Sequence, residues 1–117
     1  MAGGTRRADD AFEDDAFRAL ASPSRRRVLS LVKDRPRPVG ELADALGVSQ
    51  PAASQHLAVL REAGLVTVEA SGRHRLYRAD LEQIAALRAF FDEYWATALD
   101  RLADAAEQLA VEREEAG

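Results

Sequence analysis

Residues 39–63 constrain the fold most, because they contain two short helical patterns separated by one glycine. Gly47 lies between the patterns, where a left-handed helix terminus is least costly. Ser49 follows as the predicted N-cap of the second helix. The small Ala43 and Ala53 permit the two helices to cross closely. The segment therefore predicts two helices joined by a tight turn.

Helical patterns also precede this segment. Residues 11–21 have apolar side chains at helical spacing, and a second helix begins after Ser22, with Pro23 in the one helical position where proline loses no hydrogen bond. This second helix is expected to end before Pro36. Residues 1–9 lack apolar periodicity, so they predict a disordered N-terminal tail.

The pattern changes after Gly64. Apolar and polar residues alternate through residues 66–70 and again through 74–78, with a break at Gly72, which predicts a two-stranded hairpin. Asp80 then caps an amphipathic helix of about 30 residues, by the spacing of its apolar positions. The whole order predicts a mostly helical α+β fold, a winged helix-turn-helix with a β-hairpin wing and a long dimerising terminal helix.

Composition supports a single domain. The chain has 117 residues, of which 47% are hydrophobic and 31% charged, as in a globular domain. We expect one domain over residues 10–111, followed by a flexible tail at 112–117. The absence of cysteine excludes disulfides, thiolate metal sites and cysteine nucleophiles.

The net charge of −4 conceals a basic centre. Residues 22–78 carry ten Lys or Arg against five Asp or Glu and contain both histidines, whereas residues 79–117 carry three against ten. A local charge of +5 is suited to phosphate, so the centre is a candidate surface for nucleic acid.

A helix presented by a preceding helix and a tight turn fits the major groove of DNA. Gln can pair with adenine, and Ser can bond to bases or phosphate. An ordinary solvated face is the alternative, and His56 has a second alternative as a packed, hydrogen-bonded side chain. The candidate recognition residues are Ser49, Gln50, Ser54, Gln55 and His56.

The predicted hairpin places basic side chains at or near its tip, where they could reach phosphates or a narrow minor groove. These wing candidates are Arg73, His74 and Arg75. Further candidates for phosphate contact are Arg25, Arg26 and Arg61. For Arg25 and Arg26 the alternative to phosphate contact is a salt bridge. For Arg61 the alternative is that its side chain only covers the helix surface.

The first and last helices carry more apolar surface than a short domain can bury alone, which predicts a twofold symmetric homodimer. Closure of the monomer core by these side chains is the alternative. The candidate interface residues are Phe12, Phe17, Leu20, Phe91, Trp95, Leu99 and Leu102.

Three blocks together resemble the ArsR-type winged-helix repressors: RALASPSRRRVLSLV, VGELADALGVSQPAASQHLAVLREAGLV and VTVEASGRHRLYRA. The resemblance covers residues 17–79. It implies a homodimer on an operator dyad, with Ser49–His56 in the major groove, residues 71–75 as the wing, and the first and last helices at the dimer interface.

The metal-sensing branch of that family differs from this chain. Its cysteines would fall at Pro38 and Gly40, and residues 80–117 contain no histidine for its other common site. The chain therefore resembles the metal-independent members, and we expect no metal and no cofactor. The resemblance leaves the inducing signal open, including a small-molecule effector.

The resulting hypothesis is a sequence-specific, double-stranded DNA-binding repressor, with residues 10–111 as its DNA-binding and dimerisation domain. A cytoplasmic location is expected, because residues 1–15 lack an apolar leader and no apolar run is long enough to span a membrane. A protein-interaction module that keeps the winged fold is one alternative, and a winged-helix regulator of another family is a second. An enzyme is not expected, since the sequence has no nucleophile paired with a base and no phosphate loop.

Overall fold

The computed structural model describes residues 8–116, and side chains from residue 11 onward. It confirms the winged helix-turn-helix architecture. Helix α1 begins at Ala8, so residues 8 and 9 are helical rather than part of a tail, and residues 1–7 of that predicted tail lie outside the described residues. The elements are α1 (Ala8–Leu20), α2 (Pro23–Val32), α3 (Val39–Leu46), α4 (Gln50–Glu62), β1 (Val66–Ser71), β2 (His74–Ala79) and α5 (Leu81–Ala116).

Local signals in the sequence determine where α2, α3 and α4 begin and end. The Ser22 hydroxyl accepts a hydrogen bond from the Arg25 amide at 3.3 Å, and the Ser49 hydroxyl accepts one from the Ala52 amide at 3.2 Å. Gly47 ends α3 in the left-handed region, at φ +70°. The predicted caps and the predicted turn between α3 and α4 are therefore confirmed.

The core lies among α2, α3, α4 and the hairpin. Its largest fully buried side chains are Leu42, Leu57, Leu60, Leu65, Val28, Val32 and Val66. Leu57 and Leu60 of α4 are buried together with Leu42 of α3, and this burial fixes the two helices against each other. The opposite face of α4 is left in solvent.

The hairpin pairs Val66 with Ala79 and Ser71 with His74. Gly72 occupies the first position of the two-residue turn at φ +61°, an arrangement typical of type II′ hairpins. Residue 37, between α2 and α3, adds one strand-like bridge: Arg37 and Tyr77 exchange two backbone hydrogen bonds of 2.9 Å. This bridge was missing from the sequence prediction.

The chain separates into two compact units after Ala85. The first contains α1 to β2 and the start of α5, and the second contains the rest of α5. This helix continues to Ala116, so residues 112–116 are helical where the sequence predicted a tail. The flexibility of that segment and the domain limits at residues 10 and 111 stay predictions.

Candidate nucleic-acid interface

Helix α4 has one buried face and one exposed face. Ala53, Leu57 and Leu60 point into the core. The exposed face carries Ser54, Ala58 and Arg61. Their spacings of four and three residues make them neighbours on the helix surface. The sequence prediction that α4 turns a small, polar face to solvent is therefore confirmed.

An open groove of about 470 Å³ separates this face of α4 from the wing. Ser54, Ala58 and Arg61 line one side, and Arg75 and Tyr77 line the other. The structure thus brings a predicted recognition residue, a predicted phosphate contact and a predicted wing residue to one surface. Leu57 and Glu62 form the rest of its lining.

The hairpin divides the three predicted wing residues between different positions. Arg73 lies in the exposed turn, and successive strand residues then point to opposite faces. Arg75 lies on the groove face with Tyr77, whereas His74 lies on the other face with Leu76. The sequence predicts that all three lie near the tip of the hairpin. Which face of the hairpin each side chain lies on depends on the strand register, which the structure provides.

The arginines of the first unit fall into two groups. Arg61, Arg73 and Arg75 make no hydrogen bond or ion pair with any described residue. The others from residue 18 onward donate hydrogen bonds to backbone carbonyls or to a carboxylate, or form ion pairs at 3.9 Å with Asp15 or Glu69. Three exposed cations without protein partners among the described residues therefore lie around the α4–wing groove.

Arg25 and Arg26 bond to the end of α1. The Arg25 guanidinium donates to the Ala19 carbonyl at 2.7 Å, and that of Arg26 donates to the Leu20 carbonyl at 2.6 Å. The last carbonyls of a helix lack intrahelical partners, which explains why cations are favourable there. Neither arginine forms an ion pair with a described residue, and their phosphate contact stays a prediction.

The Glu41 carboxylate, in the first turn of α3, accepts hydrogen bonds from two arginines. The Arg37 guanidinium donates to the Glu41 carboxylate, and that of Arg35 donates to the same oxygen at 2.8 Å. The hydrogen bond from Arg37 lowers the pKa of the Glu41 carboxyl below its usual range, assisted by Arg35 and opposed by partial desolvation. Neither arginine was singled out from the sequence, although both lie within six residues of Glu41.

The remaining recognition candidates lie at the start and middle of α4. Ser49 is exposed but also caps the helix, Gln50 and Gln55 are exposed, and His56 is half-buried. Val48, in the turn before α4, is 38% exposed and was missed by the sequence analysis. An exposed aliphatic side chain beside a recognition helix suits the methyl group of thymine, which is a signal the sequence did contain.

The predicted dimer residues differ in exposure. Phe12 and Leu20 are half-buried, and Phe12 lies beside Gly64, whereas Phe17 is exposed on α1. On α5 the four candidates are between 43% and 64% exposed: Phe91, Trp95, Leu99 and Leu102. Burial of Phe12 within the first unit favours the core alternative for that side chain.

Residues 8–116 contain neither a candidate metal centre nor a candidate membrane span. Among these residues, no group of three or more His, Asp or Glu side chains is placed to hold a metal ion. None of the described helices combines the length and the apolar character needed to cross a membrane.

Comparison with known proteins decides the family. Residues 22–68 match the family described as bacterial regulatory protein, arsR family. The chain is 45% identical over 86 residues to the HTH-type transcriptional regulator Rv2034 of Mycobacterium tuberculosis, covering 74% of this chain and 80% of that protein. The chain belongs to the ArsR family. This membership makes it a DNA-binding transcriptional regulator rather than an enzyme.

Two further relatives of this ArsR-family chain are informative. The HTH-type transcriptional repressor SmtB of Mycobacterium tuberculosis is 50% identical over 64 residues, which cover 55% of this chain and 47% of SmtB. The solution structure of the homodimeric winged helix-turn-helix DNA-binding domain of Mb0332 from Mycobacterium bovis is 31% identical, with a TM-score of 0.64. It covers 82% of this chain and 91% of that one.

Proposed function

We propose that two copies of this chain bind an operator with twofold symmetry and repress transcription from it. In this proposal α4 enters the major groove and reads bases through Gln50, Ser54 and Gln55, while the wing follows the adjacent backbone. Two recognition helices about 34–36 Å apart would then contact successive turns of one face of the duplex.

The arginines without protein partners carry this proposal. A guanidinium that already bonds to a carbonyl or carboxylate has part of its five-donor fork occupied and its direction restricted, whereas Arg61, Arg73 and Arg75 can turn the whole fork toward phosphate. Arg61 and Arg75 line the groove between α4 and the wing, and Arg73 lies in the adjacent turn of the wing. We therefore assign the phosphate contacts to these three, with Arg25 and Arg26 as secondary candidates.

A homodimer is supported by the exposed apolar residues of α5 and by the homodimeric relative Mb0332. Repression is supported by the similarity to SmtB, which is named as a repressor. A protein that acts on chromosomal operators works where the DNA is, so we also infer a cytoplasmic location.

Fluorescence anisotropy with labelled duplexes tests the proposal. The probes are a duplex enriched by the wild-type chain from a randomised library and a scrambled duplex of equal length. We expect Gln55→Ala to weaken binding to the enriched duplex more than to the scrambled one, because it removes base contacts. Arg75→Ala should weaken both and reduce the salt slope by about one for each phosphate that is no longer neutralised.

Lys33→Ala is the matched control, because Lys33 is an exposed cation of the same unit that does not line the groove. It should leave both affinities close to wild type. If the wild-type chain enriches no sequence and ignores duplex DNA at low salt, the operator-binding proposal is wrong and the protein-interaction alternative gains support.

A further inference from the structure

Gly40 lies in the first turn of α3, beside the side chain of Gln50 at the start of α4. A Cβ atom at position 40 would lie 3.3 Å from Nε2 of Gln50. Such a separation is tighter than most contacts that a Cβ atom makes, so the Gln50 amide would have to move. The missing side chain at position 40 thus leaves the space in which this amide lies.

The contact matters because little else holds the Gln50 side chain. Gln50 is exposed, and its amide makes no hydrogen bond with any described residue. A long exposed side chain samples many rotamers, and ordering it on DNA costs entropy. In the structure the Gln50 amide occupies the space that a side chain at position 40 would fill.

We propose that Gly40 is a positioning residue that sets the reach of Gln50 toward base edges and so contributes to operator specificity. This inference rests on the proposed function, in which Gln50 is a reading residue. A glycine inside a helix costs stability relative to alanine, so a role for the bare backbone at this position explains a residue that helix formation disfavours.

The test is a double-mutant comparison with the full chain and the duplex enriched by wild type. The position read by Gln50 is defined as the base pair at which Gln50→Ala loses its preference. We expect Gly40→Ala to reduce discrimination at that base pair about fivefold or more, within the range of one good base contact. Gly40→Ala should also weaken binding to the enriched duplex, but it should cause no further loss of affinity in the Gln50→Ala background.

Thermal unfolding separates this role from a structural one. Gly40→Ala should unfold at the wild-type temperature or above it, because alanine favours the helix. Ser30→Ala, at an exposed position of α2, is the control that favours helix formation without contacting Gln50, and it should leave discrimination unchanged.

Three results would overturn the inference alone. The first is unchanged discrimination in Gly40→Ala, and the second is an equal loss of affinity when Gly40→Ala is added to Gln50→Ala. The third is a lower unfolding temperature, which would mean that the backbone rather than Gln50 absorbs the methyl group. A wild-type chain that enriches no sequence would instead overturn the proposed function, and this inference with it.

Discussion

At the scale of single residues, we expect different arginines to contribute to the stability of the fold and to DNA binding. Arg25 donates two bonds to the last turn of α1, so Arg25→Ala should lower the free energy of unfolding by about 1 kcal/mol, the usual net worth of such bonds. Arg73→Ala should leave that free energy unchanged, since Arg73 has no partner among the described residues. Urea unfolding measures both variants.

The same two variants are then compared on DNA across salt concentrations. Arg73→Ala should reduce the salt slope, and the slope for Arg25→Ala decides whether Arg25 also contacts phosphate. Equal destabilisation by the two substitutions would contradict the division of the arginines into structural and DNA-facing groups.

Glu41 makes stability depend on pH. Its folded-state pKa lies below the usual value, mainly through the hydrogen bond from Arg37. A lowered folded pKa contributes stability above the unfolded pKa of about 4.3, and this contribution is lost as pH falls through the folded value. We expect Glu41→Gln to be less stable than wild type near neutral pH, with the difference shrinking in acid.

Urea unfolding at a series of pH values measures that difference. Glu62→Gln is the control, because Glu62 has no ion pair with a described residue. A gap between Glu41→Gln and wild type that stayed constant down to strongly acidic pH would show that the carboxylate charge is not responsible.

At the scale of elements, the turn between α3 and α4 depends on the backbone conformation of Gly47. Its φ is +70°, and a Cβ atom there would meet nothing within 4 Å. The cost of a substitution is therefore conformational and not steric. Gly47→Val should lower the free energy of unfolding by at least about 1 kcal/mol, whereas Gly47→Asn should cost less, because asparagine tolerates the left-handed region.

Thermal and urea unfolding compare the two variants, and DNA binding provides a second measure. Gly47→Val should weaken binding to the enriched duplex, since the turn orients α4. Equal costs for valine and asparagine would show that the left-handed conformation is not what position 47 requires.

The elements that sequence could predict are those with local signals. Ser22, Gly47 and Ser49 act within a few residues of themselves, so α2, α3 and α4 were placed closely. The bridge between Arg37 and Tyr77 joins distant parts of the chain and leaves no periodic trace. Residues 107–115 are rich in helix-forming Glu and contain no proline or glycine, so α5 continues beyond the last apolar position from which its end was predicted.

The candidate site was also predictable only where its features depend on local sequence. The helical period places Gln55 opposite Leu57 and Leu60 and places Ser54 at the flank of the buried face, so both are exposed. The opposite directions of His74 and Arg75 depend on the strand register, and the partners of Arg25 depend on how α1 packs against α2. Such relations between neighbouring elements require the tertiary structure.

At the scale of the whole molecule, the proposed dimer depends on the apolar stripe of α5. Trp95, Leu99 and Leu102 recur at spacings of four and three and remain 43% to 64% exposed in the isolated chain. An exposed stripe of this kind is stabilised by a partner. Leu102→Glu should therefore shift the protein from dimer to monomer, because it would bury an unpaired charge in the interface.

Sedimentation velocity measures the mass, and Gln108→Glu is the control that adds the same charge to another face of α5. The monomeric variant should retain its helical circular dichroism but bind the enriched duplex far more weakly, since each protomer would then contact one half-site alone. A Leu102→Glu protein that stayed dimeric would place the interface elsewhere. A monomer that bound with wild-type affinity would instead separate operator recognition from dimerisation.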